Sequence, residues 1–239
     1  MDKKLEEKLK RYCFNADIDI SQEKINMFSV YMDFLIDYNK HTNLTSIVNP
    51  EDIVIKHFLD SVIINKFIKI NKIKSIIDIG TGAGFPGLPI KICFPDINLT
   101  LLDSLNKRVV FLKKLCEKLS IEADVIHSRA EDLAKNPLYR EKFDLVLSRA
   151  VATLNILSEY CIPYVKKGGL FVAYKGSNVK EELLKCTDCF KVLSSKIFNI
   201  EEFCLPEIGD TRSFVIIEKI NNCSIKYPRP TSQIIKKPL

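Results

Sequence analysis

Apolar residues recur at helical spacing through the first 70 residues. Leu5, Leu9 and Tyr12 fall on one face. Between residues 24 and 38 the stripe of Ile25, Phe28, Met32 and Leu35 lies beside a second one of Met27, Tyr31, Phe34 and Tyr38. Ser21 is placed to cap that helix. Asn49-Pro50-Glu51-Asp52 opens another, with a capping side chain, a proline in the first turn and two acids at the positive end of the dipole. From Lys74 the period changes. Short β-branched runs at 75–79, 99–103, 123–127, 143–148, 170–173, 191–198 and 213–219 predict seven strands. Helices are predicted in most gaps, notably 106–119 and 178–189. Strands alternating with helices make parallel βαβ units, hence an α/β, Rossmann-like, doubly wound sheet. The last two strands lack room for a helix between them and predict a closing antiparallel hairpin. After Asn221 the apolar pattern fades. Residues 226–239 carry four basic residues and no acid, which predicts an irregular tail laid on the surface. The expected organisation is an N-terminal helical extension over 1–70, the sheet domain over 71–220 and the basic tail over 221–239.

Composition narrows this picture. Hydrophobic residues at 46% and charged residues at 28% are those of an ordinary folded chain and exclude a disordered or fibrous one. The net charge of +6 fits a nucleic-acid partner without demanding it. No apolar run approaches the roughly 18 residues that span a bilayer, and the first residues carry no apolar signal core, so a cytoplasmic protein with no membrane contact is expected. The eight cysteines lie mostly in apolar segments and are expected as buried free thiols. Cys186-Thr-Asp-Cys189 lacks a second pair or a nearby histidine, so no metal is expected. Glycine is scarce. There are 8, against about 17 at average usage, and four of them fall between Gly80 and Gly87.

That window reads Asp78-Ile-Gly80-Thr-Gly82-Ala-Gly84-Phe85-Pro86-Gly87. It follows the first strand, where an open α/β sheet receives ligands. Glycines let the chain turn sharply and bring main-chain N–H groups to a ligand. Asp78 is placed to accept hydrogen bonds from the loop or from a ligand amine. Gly82-Ala-Gly84-Phe85-Pro86-Gly87 matches the dinucleotide pattern, and Asp103 follows at about the 20-residue spacing that holds a ribose hydroxyl. S-adenosylmethionine needs the same glycine turn and the same acid. The glycines alone do not choose between them.

Several strings together resemble one family, the bacterial glucose-inhibited division protein B family of small-subunit ribosomal RNA guanine-N7 methyltransferases. They are Asn43-Leu-Thr45, His57-Phe-Leu-Asp60-Ser61, the glycine window, Leu102-Asp-Ser-Leu-Asn-Lys-Arg108, Arg129-Ala-Glu131, Phe143-Asp-Leu-Val-Leu-Ser-Arg149, Lys175-Gly176, Arg212 and Tyr227-Pro-Arg229. The tail departs from that family's pattern at Pro230 and Ser232. The resemblance implies a class I methyltransferase fold and S-adenosylmethionine bound by Gly80, Phe85, Asp103, Ser104, Leu105, Ala130, Glu131 and Arg149. Asp78 and Gly82 join this set from their place in the loop. It implies 16S ribosomal RNA as substrate, within the small subunit or an assembly intermediate, and a monomer is expected. Guanine N7 has a lone pair and no proton, so no general base is required; holding the reactants in line suffices. That agrees with the absence of any obvious nucleophile–base set in the sequence. His57 and Asp60, three apart on a helix, and Lys175 and Arg212, at strand ends, are the candidates for the substrate side. Arg149 is expected to meet cofactor or RNA, or else to pair with Asp144. Lys107, Arg108, Lys166, Lys167, Lys180 and Arg229 are further cations that could track phosphates.

Overall fold

A computed structural model describes residues 1–149, 152–186 and 188–239. Two helices, α1 (Lys3–Asn15) and α2 (Gln22–Thr42), precede a helical segment over residues 50–66, here α3, which contains a π-helical turn at Ile53–Leu59. Ser21 accepts from the Lys24 N–H and Asn49 from the N–H groups of Glu51 and Asp52, as their sequence positions predict. Then β1 (Ser75–Ile79), α4 (Gly87–Cys93), β2 (Asn98–Asp103), α5 (Asn106–Lys118), β3 (Asp124–His127), α6 (Ala130–Leu133), β4 (Phe143–Arg149), α7 (Leu154–Cys161) and β5 (Val165–Lys175) alternate. After α8 (Val179–Leu184) and α9 (Cys189–Val192) come the hairpin β6 (Ser195–Cys204) and β7 (Thr211–Lys219), and finally α10 (Thr231–Lys236).

The seven strands form one sheet in the order β3-β2-β1-β4-β5-β7-β6. The first five are parallel, and β7 runs antiparallel between β5 and β6. Alternate residues feed two cores. Ile76, Leu99, Leu101, Leu145, Leu147 and Phe214 face the N-terminal helices, while Ile77, Leu102, Val146, Phe171 and Val215 face α7 and the C-terminal segment. A parallel sheet covered on both faces explains the near-continuous apolar runs. The antiparallel turn of β7 also matters for the site: it brings the start of β7 to the edge where the parallel strands end.

Four predicted boundaries differ. The helix expected over 178–189 is two pieces, α8 and α9. The strand expected from residue 191 begins at Ser195, because Ser194 at φ 54° breaks the chain out of α9. β5 reaches back to Val165, through Gly169, whose absent side chain lets the Asp144 carbonyl approach to 2.8 Å of where a Cβ would stand. The tail is not irregular: α10 buries Ile234 completely, a single apolar anchor too sparse to make a pattern.

The β6–β7 turn is fastened to α1. Glu207 accepts from Lys8 Nζ at 2.6 Å and from the Tyr12 hydroxyl at 2.7 Å, and Lys8 also pairs with Glu51 at the head of α3. No helix among the described residues is long and apolar enough to cross a membrane.

Candidate active site

Asp78, one residue before the end of β1, is fully buried, and its Oδ2 accepts from the Thr81 hydroxyl at 2.7 Å and the Gly87 N–H at 2.8 Å. Burial pushes its carboxyl up to about 6, against those two hydrogen bonds. The loop it holds passes through positive φ at Gly80, Gly82 and Gly84. Asp78 thus lies beneath the loop, supporting it from below, and lines none of the three cavities along this edge.

Asp103 closes β2. Its Oδ2 accepts from the Gly82 N–H at 2.9 Å and Arg108 at 3.2 Å, and its Oδ1 from the Leu105 N–H at 2.9 Å. A carboxylate oxygen has two lone pairs, so one acceptor direction on Oδ1 stays open for a sugar hydroxyl. Arg108 thus turns one nitrogen inward to Asp103 from the wall of the groove, and Lys107 donates to the Thr42 carbonyl. Leu105 contributes its backbone to Asp103, while its half-exposed side chain lines none of these cavities.

Phe85, at the end of the loop, is sandwiched. Tyr31 of α2 stacks on it at 5.2 Å and 2°, and His57 of α3 at 4.2 Å and 12°. Arg149, at the end of β4, donates to His57 Nδ1 at 3.1 Å, to Asp60 Oδ2 at 2.8 Å and to the Lys56 carbonyl at 3.0 Å. An arginine can only donate, so Nδ1 is the bare nitrogen of His57 and Nε2, 3.1 Å from the Thr45 hydroxyl, carries the proton. Burial, and then the Arg149 charge, lowers the His57 pKa to about 3, so the ring is neutral. Asp60 is 3% exposed; burial pushes its carboxyl up while Arg149 and Arg212, whose Nε lies 3.5 Å from Oδ1, pull it down. The π turn widens α3 by one residue where His57 projects, a distortion common at functional sites. Arg149 does not pair with Asp144. That acid instead accepts from the N–H groups of Lys74 and Ser75 and pairs with Lys166, at the opposite edge of the sheet.

Three contiguous cavities follow the carboxyl edge. A small one of 180 Å³ lies between Asp103, Ser104, Ala130 and Glu131. One of 440 Å³ lies over Gly80, Gly82, Phe85, Asp103 and Arg149. The third, of 450 Å³, lies beyond Arg149 and takes in Lys56, Asp60, Lys175, Glu182 and Arg212. Gly80, Asp103 and Ser104 belong to the first two, His57 and Arg149 to the last two. Every predicted site residue except Asp78 and Leu105 therefore lines one connected groove.

Of the other predicted cations, Arg108 lines the cavity over the loop, while Lys180 and Arg229 line none of the three. Lys180 faces Glu202 at 3.7 Å, and Arg229 is spent on the fully buried Glu159, with Nε 2.8 Å from Oε1 and a terminal nitrogen 2.6 Å from Oε2. That pair carries Thr231 onto Glu131, so the tail supplies Thr231, and α7 supplies Tyr160, to the wall of the small cavity. Sequence reasoning missed Tyr31, Thr45, Tyr160, Glu182 and Thr231. Thr45 lay in a quoted string; Tyr31 was visible only as part of a core stripe. Seven cysteines are buried, and Cys204 is the exposed exception. Among the described residues no group of three His, Cys, Asp or Glu side chains is arranged to hold a metal.

The family model described as rRNA small subunit methyltransferase G matches residues 24–208. A protein named ribosomal RNA small subunit methyltransferase G from Desulforamulus reducens is 44% identical over 97% of each chain. Its namesake from Clostridium novyi is 47% identical over 94% of this chain and 93% of its own. Among solved structures, one from Klebsiella pneumoniae assigned as an O-methyltransferase matches with a TM-score of 0.57 at 11% identity, covering 88% of this chain and 96% of that one. TYW2 from M. jannaschii, solved in complex with AdoMet, matches with a TM-score of 0.51 at 12% identity over 62% of this chain and 69% of its own. These two share the fold alone. The match over residues 24–208, which takes in β1 to β6 and the loop after β1, and relatives 44–47% identical over nearly the whole chain place it in the family of rRNA small subunit methyltransferases G.

Proposed function

We propose that this chain transfers the methyl group of S-adenosylmethionine to N7 of a guanine in 16S ribosomal RNA. The observation that carries the reading is the junction at His57 and Arg149, where a cavity over the glycine loop meets a second, cation-lined one. A donor and a base entering from the two sides meet there. S-adenosylmethionine supplies an electrophilic methyl group on a sulfonium. The open Oδ1 direction of Asp103 would take a ribose hydroxyl, Ser104, Ala130 and Glu131 would flank the adenine, and Gly80, Gly82 and Phe85 would support the amino-acid end.

The protein's own part is positioning. N7 needs no base, and His57 offers none: it is neutral, its nitrogens face Arg149 and Thr45, and its ring is stacked on Phe85. Phe85, clamped between two rings, gives the junction a rigid floor. Asp60 balances Arg149, so the positive charge that develops on the purine does not meet an isolated cation. Arg212 and Lys56 face the second cavity with 25% and 27% of their side chains exposed and would meet phosphates. We further propose that a monomer acts, on the small subunit or an assembly intermediate, since one chain lines both cavities.

Ribosomal RNA from cells lacking the protein should lose one borohydride- and aniline-sensitive cleavage site in 16S RNA and regain it on complementation; an unchanged pattern refutes the proposal. Calorimetry should show binding of S-adenosylhomocysteine and none of NAD.

A further inference from the structure

Lys175 and Glu182 stand side by side on the wall of the second cavity, and neither exhausts its hydrogen-bonding capacity. Lys175 Nζ, on a side chain 8% exposed, donates to the Ala152 carbonyl at 2.6 Å and forms an ion pair with Glu182 Oε2 at 2.6 Å. An ammonium has three N–H groups, so one remains. Glu182 Oε2 also accepts from the Leu154 N–H at 2.6 Å, which fills both its lone pairs. Its Oε1 has no partner among the described residues, on a side chain 22% exposed to the cavity. The other carboxylate of this wall, Asp60, is 3% exposed and faces Arg149 and Arg212. What remains is one fixed donor beside one fixed acceptor.

We propose that Lys175 and Glu182 read the Watson–Crick edge of the target guanine, Lys175 donating to O6 and Glu182 Oε1 accepting from N1–H and the N2 amino group. The inference rests on the methyl-transfer reading above and deepens it by naming the base-selecting pair. Guanine offers an acceptor followed by two donors along this edge. Adenine offers a donor followed by an acceptor, so its N1 lone pair would face the carboxylate. With the Watson–Crick edge against this pair, N7 lies on the opposite side of O6 and is free to face the junction at Arg149. A base taken out of its stack is read along this same edge in other base-modifying enzymes.

The test uses the full-length protein on small subunits assembled with 16S RNA carrying guanosine or inosine at the position the protein methylates. Inosine keeps N7, O6 and N1–H and lacks only the 2-amino group. Wild-type kcat/KM should fall about 10- to 100-fold with inosine, the worth of one hydrogen bond to a charged group. In Glu182→Gln the amide retains an oxygen for the Leu154 N–H and turns an NH2 toward the base, so the guanosine-to-inosine ratio should fall to about 1. Calorimetry with S-adenosylhomocysteine checks that the variant is folded. If the variant turns over neither substrate, competition binding decides: guanosine and inosine subunits should then displace a labelled subunit equally well. A wild-type ratio below about 2, or an undiminished ratio in Glu182→Gln, overturns the proposal. No methylation of the guanosine subunit by wild type would instead overturn the methyl-transfer reading.

Discussion

Gly82 and Gly84 both adopt left-handed backbone, at φ 62° and 99°, yet alanine should affect them differently. At Gly82 a Cβ would meet nothing within 4 Å. The cost is the backbone alone, about 1–2 kcal/mol for an L-residue in this region. At Gly84 a Cβ would stand 2.6 Å from both Leu88 Cδ1 and the Tyr31 hydroxyl oxygen, and 3.2 Å from Leu112 Cδ2. Tyr31 is not free to yield, since its ring stacks on Phe85 and its hydroxyl donates to the Ala83 carbonyl. Strain of about 1–3 kcal/mol then adds to overpacking of about 1–3 kcal/mol, for a total of about 2–6 kcal/mol. With a urea slope of about 2–3 kcal/mol/M, Gly84→Ala should lower the unfolding midpoint by about 1–2 M and Gly82→Ala by about 0.5 M. Binding should reverse the ranking per unit of lost stability. The Gly82 Cβ enters the cavity over the loop, so a folded Gly82→Ala should bind S-adenosylhomocysteine at least tenfold more weakly in calorimetry. Equal midpoints for the two variants would refute the steric argument and leave backbone conformation as the whole effect.

Arg229→Ala strands the buried Glu159 carboxylate and should cost about 3–5 kcal/mol, with part of it regained in the double variant with Glu159→Gln; urea midpoints test both. The same variant should weaken S-adenosylhomocysteine binding, because it releases Thr231 from the small cavity. His57, with its pKa near 3 in the folded protein and 6.5 as the ordinary value, stays neutral where the unfolded chain takes a proton. It therefore lowers stability as pH falls through that window, by up to about 1.4 kcal/mol per pH unit. Asp78, raised to about 6 from 3.8, acts oppositely: its folded form keeps a proton that the unfolded chain releases, so it lowers stability as pH rises between those values. Midpoints measured from pH 4 to 6 should climb more steeply with pH in wild type than in His57→Asn, and parallel profiles would rule the reasoning out. A thiol reagent should label Cys204 alone in the native protein and all eight cysteines in urea; rapid labelling of a second thiol without denaturant counts against this packing.

The sheet was legible because buried parallel strands advertise themselves as apolar runs, and part of the groove because several residues that line it sit at or just past the end of such a run. Asp103 could be placed by its spacing from the glycine window and Lys175 by its place at a strand end, while Glu131 and Arg149 came from the family resemblance. Their partners could not be placed. Nothing local marks Glu182 as the mate of Lys175, or Asp60 rather than Asp144 as the mate of Arg149, since those pairs join different elements across the edge. Arg229 looked like a free surface cation because the buried acid that claims it lies 70 positions earlier. β6 was misplaced for a related reason: as an edge strand it is largely exposed from Lys196 to Asn199 and carries little apolar signal.

The clasp of Lys8 on Glu51 and Glu207 joins the two arms around the second cavity, one leading to His57 and Asp60, the other to Arg212. Its closing contact spans 199 positions of sequence. Such a loop closes slowly, although each doubling of its length costs only about 0.6 kcal/mol in closure entropy. Helical content can form from local contacts well before that clasp engages. During refolding, backbone dichroism should recover first and methyl transfer later, and Lys8→Met should lengthen the interval between them. A helix remote from the chemistry would in this way set the time at which the enzyme becomes competent.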